Sequence, residues 1–318
     1  MRVLTSLKRR GRAGKPLVLA IGVFDGVHRG HQAVLKAAVE LARTWGCLAG
    51  ALTFDPPPEG ALGLPMPPRL GHPDELSEVM AGLGLDEVHR VPFTRALGRL
   101  SPERFAAGVL AAKLRCKAVV VGRGFRFGAD AAGGVSELRR LGARLGFAVV
   151  DVAPCMRRGK AVSSTLLRRA VQSGRMGEAK ALLGRPWRLR GTVVRGRRLG
   201  RTLGFPTANL DSPQRALPPR GVWAGRCRLV TASGPSRWWG FAGNLGVRPT
   251  LGSRLEPTVE LHLLGFKGRL EGRVLEAEFL RRLRGERKFP TLRALQARIS
   301  ADVAAAQALL KSRRGADF

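Results

Sequence analysis

The sequence predicts two domains of different class. Residues 1–184 read as an α/β domain built on a parallel sheet, and residues 185–318 as a small antiparallel β-barrel with a C-terminal helix. Three observations carry this. From Leu17 to about Val152, apolar strand-like runs alternate with segments of helical periodicity. After Leu182-Leu183-Gly184-Arg185-Pro186 the texture changes to short, alternating, β-rich runs between Gly and Pro turns. Helix returns only at 292–310.

In the first domain, the apolar run 17–21 is a buried strand and 31–43 a helix with apolar residues at helical spacing. A second strand, 48–54, stops at Asp55-Pro56-Pro57-Pro58. Helices follow at 75–83, 102–114 and 135–145, and strands at 87–92, 118–121 and 147–152. Strands separated by helices imply a parallel sheet covered on both faces. Ligands of such sheets sit beyond the carboxyl ends of the strands, where GVFDGVHRGH (22–31), TFDPPP (53–58) and VGRGFRFG (121–128) would converge. The second domain has predicted strands at 188–194, 222–230, 238–242, 258–264 and 274–280.

GVFDGVHRGH is the most informative stretch: strand, Gly-rich turn, helix, with His28 and His31 at the turn. A helix N-terminus presents unpaired N–H groups and the positive end of a dipole, which together hold an anion such as a nucleotide phosphate. The two imidazoles add donors. Attack by a substrate phosphate on the α-phosphorus of ATP needs no side-chain nucleophile, because positioning and charge stabilisation supply most of the catalysis. Two alternatives stand beside this adenylyl-transfer reading. Zinc ligation by HxxH lacks the Glu of HExxH and any other His or Cys nearby in sequence, and a purely structural pair of turn histidines is the plainer option.

Composition narrows the classes. A hydrophobic fraction of 44% with 25% charged residues is that of a globular chain, which excludes wholesale disorder. Cys47, Cys116, Cys155 and Cys227 are scattered without a CxxC pair, which fits a reducing cytoplasm. A basic N-terminus precedes LVLAIGVF, but that apolar run is too short for an export signal and no small-residue cleavage site follows. No membrane partner is expected. The net charge of +33 is spread, +15 before Gly184 and +18 after it, and Arg outnumbers Lys throughout. It reads as a compositional bias: aromatic residues are not interleaved with basic ones in an RNA-binding pattern, so no specific nucleic-acid partner is expected.

A second constellation lies in GTVVRGRRLGRTLGFPTANL (191–210). Gly191, Gly200 and Gly204 let backbone approach phosphate, Arg201 adds charge, and the oxygens of Thr207 and Asn209 suit a hard cation such as Mg²⁺. No Walker A pattern occurs here, and ordinary turns are the alternative. Along 258–264, Glu260 and His262 point opposite to Val259, Leu261 and Leu263. Glu260 on a ligand-facing side could act as general base for a hydroxyl; a solvated strand face is the bland reading.

These motifs, with LSPERF, VSSTLLR, LLGRPW, GVWA, NLGVRPT, VELHLLGF and LRGERKF, resemble in order and spacing the bacterial bifunctional riboflavin kinase/FMN adenylyltransferases, over nearly the whole chain. The resemblance implies a nucleotidyltransferase-type α/β domain followed by a riboflavin kinase barrel, using ATP and Mg²⁺ to convert riboflavin to FMN and FMN to FAD with release of pyrophosphate. It implies that Gly22, Phe24, Asp25, Gly26, His28 and His31 surround ATP in the adenylyltransferase, with Ser163, Ser164, Thr165 and Arg168 holding its triphosphate from a second helix start. In the kinase, Thr207 and Asn209 would hold Mg²⁺ and phosphates, and Glu260 would deprotonate the ribityl hydroxyl.

The chain departs from the family pattern in several places. Gly124 stands where Asp or Asn is usual, Ala131-Ala132-Gly133-Gly134 lacks the Arg and Asp of an RxGD-like element, Pro57 replaces a His and Gly71 a Thr or Ser. Gly265 and Trp223 also differ, replacing Asp and Tyr. Most departures lie in the first domain, which implies better preserved riboflavin phosphorylation than FMN adenylylation. A kinase with an impaired first domain is the competing expectation, and a basic nucleic-acid-binding protein the remote one.

Overall fold

The computed structural model describes residues 1–7, 14–196, 199–249 and 255–312. The basic run at 8–13, Arg197 and Arg198 of the Gly-rich segment, and Thr250 of NLGVRPT lie outside them. The chain folds as two compact units, 1–67 with 73–164, and 68–72 with 165–318.

The first unit is a six-stranded, wholly parallel sheet in the order β1 (Arg2–Leu4), β4 (Glu87–Val91), β3 (Leu48–Phe54), β2 (Leu17–Ile21), β5 (Cys116–Gly122), β6 (Ala148–Val152). The central strands β2, β3 and β5 are largely apolar on both sides because both faces are covered. On one face Val18, Ala20 and Val120 pack with α1 (Arg29–Thr44) and α2 (Pro73–Gly82). On the other, Leu17, Leu19, Val119 and Val121 pack with a π-helical segment, Phe105–Lys113, and α3 (Val135–Leu145). From β2 the chain winds one way to β3 and β4, and the other way to β5 and β6. The carboxyl ends of β2 and β5 therefore flank the crevice where such sheets bind ligands.

The second unit holds a closed barrel of six antiparallel strands. β7 (Arg188–Val194) pairs with β8 (Ala208–Asp211), and the ring continues through β11 (Leu255–Leu263), β10 (Trp239–Pro249), β9 (Gly221–Thr231) and β12 (Val274–Arg284) back to β7. Closure removes the open edges that an isolated sheet would expose. Phe241, Leu261 and Phe279 fill the interior. The longer helices that accompany the barrel are α4 (Ser164–Gln172), α5 (Met176–Leu183) and the C-terminal α6 (Leu292–Ser312). Residues 165–183 belong to the barrel unit, which thus begins about 20 residues before the change of texture at 185. Segment 68–72 also belongs to it, because the Leu70 carbonyl accepts hydrogen bonds from Trp187 Nε1 at 2.9 Å and Gln214 Nε2 at 2.8 Å. No helix among the described residues is long and apolar enough to cross a membrane.

Outside the barrel interior, three strands carry a cross-strand charge ladder. Glu276 faces Arg190 and Arg228, and Glu278 faces Arg188 and Arg226. Both carboxylates are 1% exposed, and each is bonded by arginines from both neighbouring strands.

Candidate active sites

In the first unit the turn after β2 is built by backbone constraint. Gly26 and Val27 both have positive φ, 81° and 42°, so the chain reverses sharply before α1. A Cβ on Gly22 would come within 3.0 Å of the Phe24 ring. Phe24 N donates to Thr53 Oγ1 at 3.2 Å, tying the turn to β3. His28 is the N-cap of α1: its Nδ1 accepts from His31 N at 3.2 Å. A neutral His28 that accepts at Nδ1 carries its proton on Nε2, where it is a donor. The two imidazoles stack with centroids 3.6 Å apart, and His31 lies edge-on to Phe24 at 5.3 Å. The sequence spacing starts the helix at His31; the structure starts it at Arg29, so both histidines sit at its positive end.

Ser164 Oγ donates to Asp25 O at 3.2 Å, which brings the start of VSSTLLR to the same turn. A Cβ on Gly30 would lie 3.1 Å from the Val162 carbonyl, so this approach depends on glycine. Ser163 precedes Ser164 in the first unit, whereas Thr165 and Arg168 belong to the second, where Arg168 Nε donates to Pro68 O at 2.9 Å. Beyond β5, Phe127 and Gly133 form a two-way backbone bridge, and Arg126 Nε donates to Ala131 O at 2.9 Å. Asp130 and Ala131 are both left-handed, at φ 55° and 53°. Gly124, by contrast, has ordinary backbone, and a Cβ there meets nothing within 4 Å.

In the second unit a cavity of about 360 Å³ opens on the outer side of the barrel wall, lined by Gly200, Thr207, Asn244, Glu260, His262 and Asp302 among others. Alternation along β11 turns Val259, Leu261 and Leu263 into the barrel and leaves Glu260 and His262 facing this cavity. Register does the rest. Glu260 lies directly opposite Asn209 on β8 and Asn244 on β10, so three polar side chains form one row across the sheet. His262 Nδ1 lies 2.9 Å from the Pro206 carbonyl and its ring edge meets Phe205 at 5.5 Å, fixing the segment that carries Thr207. Gly200 has no room for a side chain, since a Cβ would sit 2.5 Å from the Phe205 carbonyl and 3.3 Å from Thr207 Oγ1. On the far wall Arg284 makes a bidentate pair with buried Asp302, Nη2 to Oδ2 at 2.7 Å and Nε to Oδ1 at 3.1 Å, and both line the cavity with Phe289.

Other expected site residues lie elsewhere. Gly191 is buried inside β7, where a Cβ would strike the Asp211 carbonyl, so its lack of a side chain has a packing cause. Arg201 is exposed in the short helix Leu199–Thr202, and Gly204 takes a positive φ of 88° just after it. Asn244, Arg284 and Asp302 were not singled out from sequence. Asn244 sits in NLGVRPT, but only strand register shows it opposite Glu260.

Residues 12–166 match the FAD synthetase family and residues 183–310 the riboflavin kinase family. The bifunctional riboflavin kinase/FMN adenylyltransferase of Pseudomonas fluorescens is 38% identical over 92% of both chains. That of Escherichia coli K12 is 35% identical over 90% of both, and that of Haemophilus influenzae 32% identical over 98% of this chain and 100% of its own. A crystal structure from Streptococcus pneumoniae described as a macrolide-efflux protein superimposes over 96% of this chain and 98% of its own, with a TM-score of 0.81 and 26% identity. With both family regions present in order and relatives of this identity matched almost end to end, the chain belongs to the bifunctional riboflavin kinase/FMN adenylyltransferases.

Proposed function

We propose that the chain phosphorylates riboflavin with ATP at the barrel cavity and adenylylates FMN with ATP at the turn between β2 and α1. The observation that carries the reading is Glu260, facing the cavity beside Thr207 and Asn244, with Asn209 in register opposite it. In the first reaction Glu260 takes the proton from the ribityl hydroxyl as that oxygen attacks the γ-phosphorus of ATP, and ADP leaves. Asn209 and Asn244, on either side of the carboxylate, orient it and the hydroxyl. Thr207 and Asn209 offer hard oxygen donors suited to Mg²⁺, which keeps most of its waters and binds through one or two protein groups plus substrate phosphates. When bound, Mg²⁺ offsets the charge of the phosphates.

In the second reaction an FMN phosphate oxygen attacks the α-phosphorus of ATP, the bond to the α,β-bridging oxygen breaks, and pyrophosphate leaves. The N–H groups of α1, the Nε2–H of His28 and the ring of His31 hold the phosphates, with Ser163 and Ser164 beside the turn. The enzymatic boundary lies at 184/185, and the protein works in the cytoplasm, where its four cysteines stay reduced. Purified protein given riboflavin, ATP and Mg²⁺ should yield FMN first and FAD later by chromatography. Absence of FMN would overturn the proposal, and FMN without any FAD would leave the kinase alone.

A further inference from the structure

A second cavity in the barrel unit, of about 380 Å³, shares no lining residue with the Glu260 cavity. Its volume falls within the range of roughly 300–1,000 Å³ usual for small-molecule sites. Trp238, Trp239, Arg226, Gln307 and Lys311 line it. Its apolar floor is Leu264 and Leu310, packed so closely over Gly240 that a Cβ there would strike Leu310.

The chemistry of this wall is specific. Two adjacent indoles offer broad π surface to a planar ring. The guanidinium carbons of Arg226 and Arg228 lie 4.5 and 4.6 Å from the Trp238 ring centroid, and that of Arg237 lies 5.1 Å from Trp239. Arg226 belongs to the charge ladder, in which four arginines face two glutamates, so the field beside the cavity is positive, and Lys311 adds to it. Trp239 Nε1 is buried and has no acceptor among the described residues. An oxygen of a bound ligand would supply one.

We propose that this cavity is a second, non-catalytic site for an aromatic monophosphate, and that its occupant is FMN, the product of the chain's own kinase reaction. The identity of the occupant rests on the proposed function; the ligand class does not. A three-ring flavin uses both indoles and the apolar floor, and its phosphate meets Arg226 and Lys311, whereas riboflavin brings the ring without the charge.

The test is equilibrium dialysis of the full chain against FMN, AMP and riboflavin, comparing wild type with Lys311→Glu and Trp239→Phe, with riboflavin phosphorylation assayed in parallel. Wild type should bind one more FMN than the catalytic cavities account for. Reversing the charge at exposed Lys311 should weaken that extra site by about tenfold or more while kinase kcat is unchanged. Trp239→Phe keeps the ring, removes the donor and should weaken it less. Identical FMN isotherms for wild type and Lys311→Glu would overturn the proposal, as would riboflavin binding at the extra site as tightly as FMN. AMP binding there as well as FMN would keep the ligand class and overturn the occupant. Loss of kinase activity in wild type itself would strike the proposed function and leave the binding result to stand separately.

Discussion

At the scale of the residue, Glu260 was legible because strand alternation alone places it opposite three apolar neighbours. Its partners were not. Asn209 and Asn244 lie 51 and 16 positions away, and only the pairing of β8, β11 and β10 aligns them with it. The strand, turn and helix around His28 and His31 were legible, but the capping bond that orients His28 depends on where the helix begins. Gly124 is a different case: neither backbone conformation nor a neighbouring atom requires glycine there. The family resemblance places Asp or Asn at this position, and a misplaced reactant can cost about 10²-fold in rate. Gly124→Asp should therefore raise FAD formation from FMN by up to about 10²-fold without altering riboflavin phosphorylation. Steady-state assays of the two steps check this, and an unchanged or slower second step would refute it.

At the scale of the element, the longer strands and helices were readable to within a few residues, and the misses have physical causes. The four residues of β8 are too few to show a period between Pro206 and Pro213. Gly243 and Gly246 make β10 read as a short strand followed by turns, yet a Cβ on Gly243 would come 2.6 Å from Leu261, so glycine there admits the neighbouring core side chain. The expected helix at 102–114 is π-helical over most of its length. The charge ladder was invisible in sequence for the same reason as the Asn209–Glu260–Asn244 row. Within it, burial pushes the Glu276 carboxyl up, but its bonds to Arg190, helped by Arg228 and Arg188, hold it below the ordinary value of 4.5. A lowered folded-state value means that stability from this group is present above pH 4.5 and is lost as pH falls through the folded value. Removing one partner of a buried ion pair costs about 3–5 kcal/mol. Glu276→Gln should destabilise the protein by about that much at neutral pH and flatten its acid limb. Urea midpoints at pH 7 and pH 4 test it; equal pH dependence in both proteins would contradict the assignment.

For the whole molecule, the two-class architecture was legible from texture, while the assignment of α4, α5 and segment 68–72 to the barrel unit was not. Texture reports local period, whereas Leu167, Val171, Leu182 and Leu183 are buried through contacts remote in sequence. This sets the design of an isolated kinase. A fragment from 165 should fold and phosphorylate riboflavin, and one from 185 should be less stable, because it loses those four side chains, each contributing roughly 1.5–3 kcal/mol on burial. Thermal melts of the two fragments decide it, and a 185–318 fragment as stable as 165–318 would show that α4 and α5 contribute nothing.

The proposed function puts two chemistries at two separate sites, and one experiment reads both. Glu260→Gln and His28→Ala are each assayed with riboflavin plus ATP and with FMN plus ATP. Loss of a general base costs about 10²- to 10⁴-fold. Glu260→Gln should lose FMN formation by that factor and still convert supplied FMN to FAD, while His28→Ala should form FMN normally and lose FAD. Equal loss of both steps in either variant would contradict it.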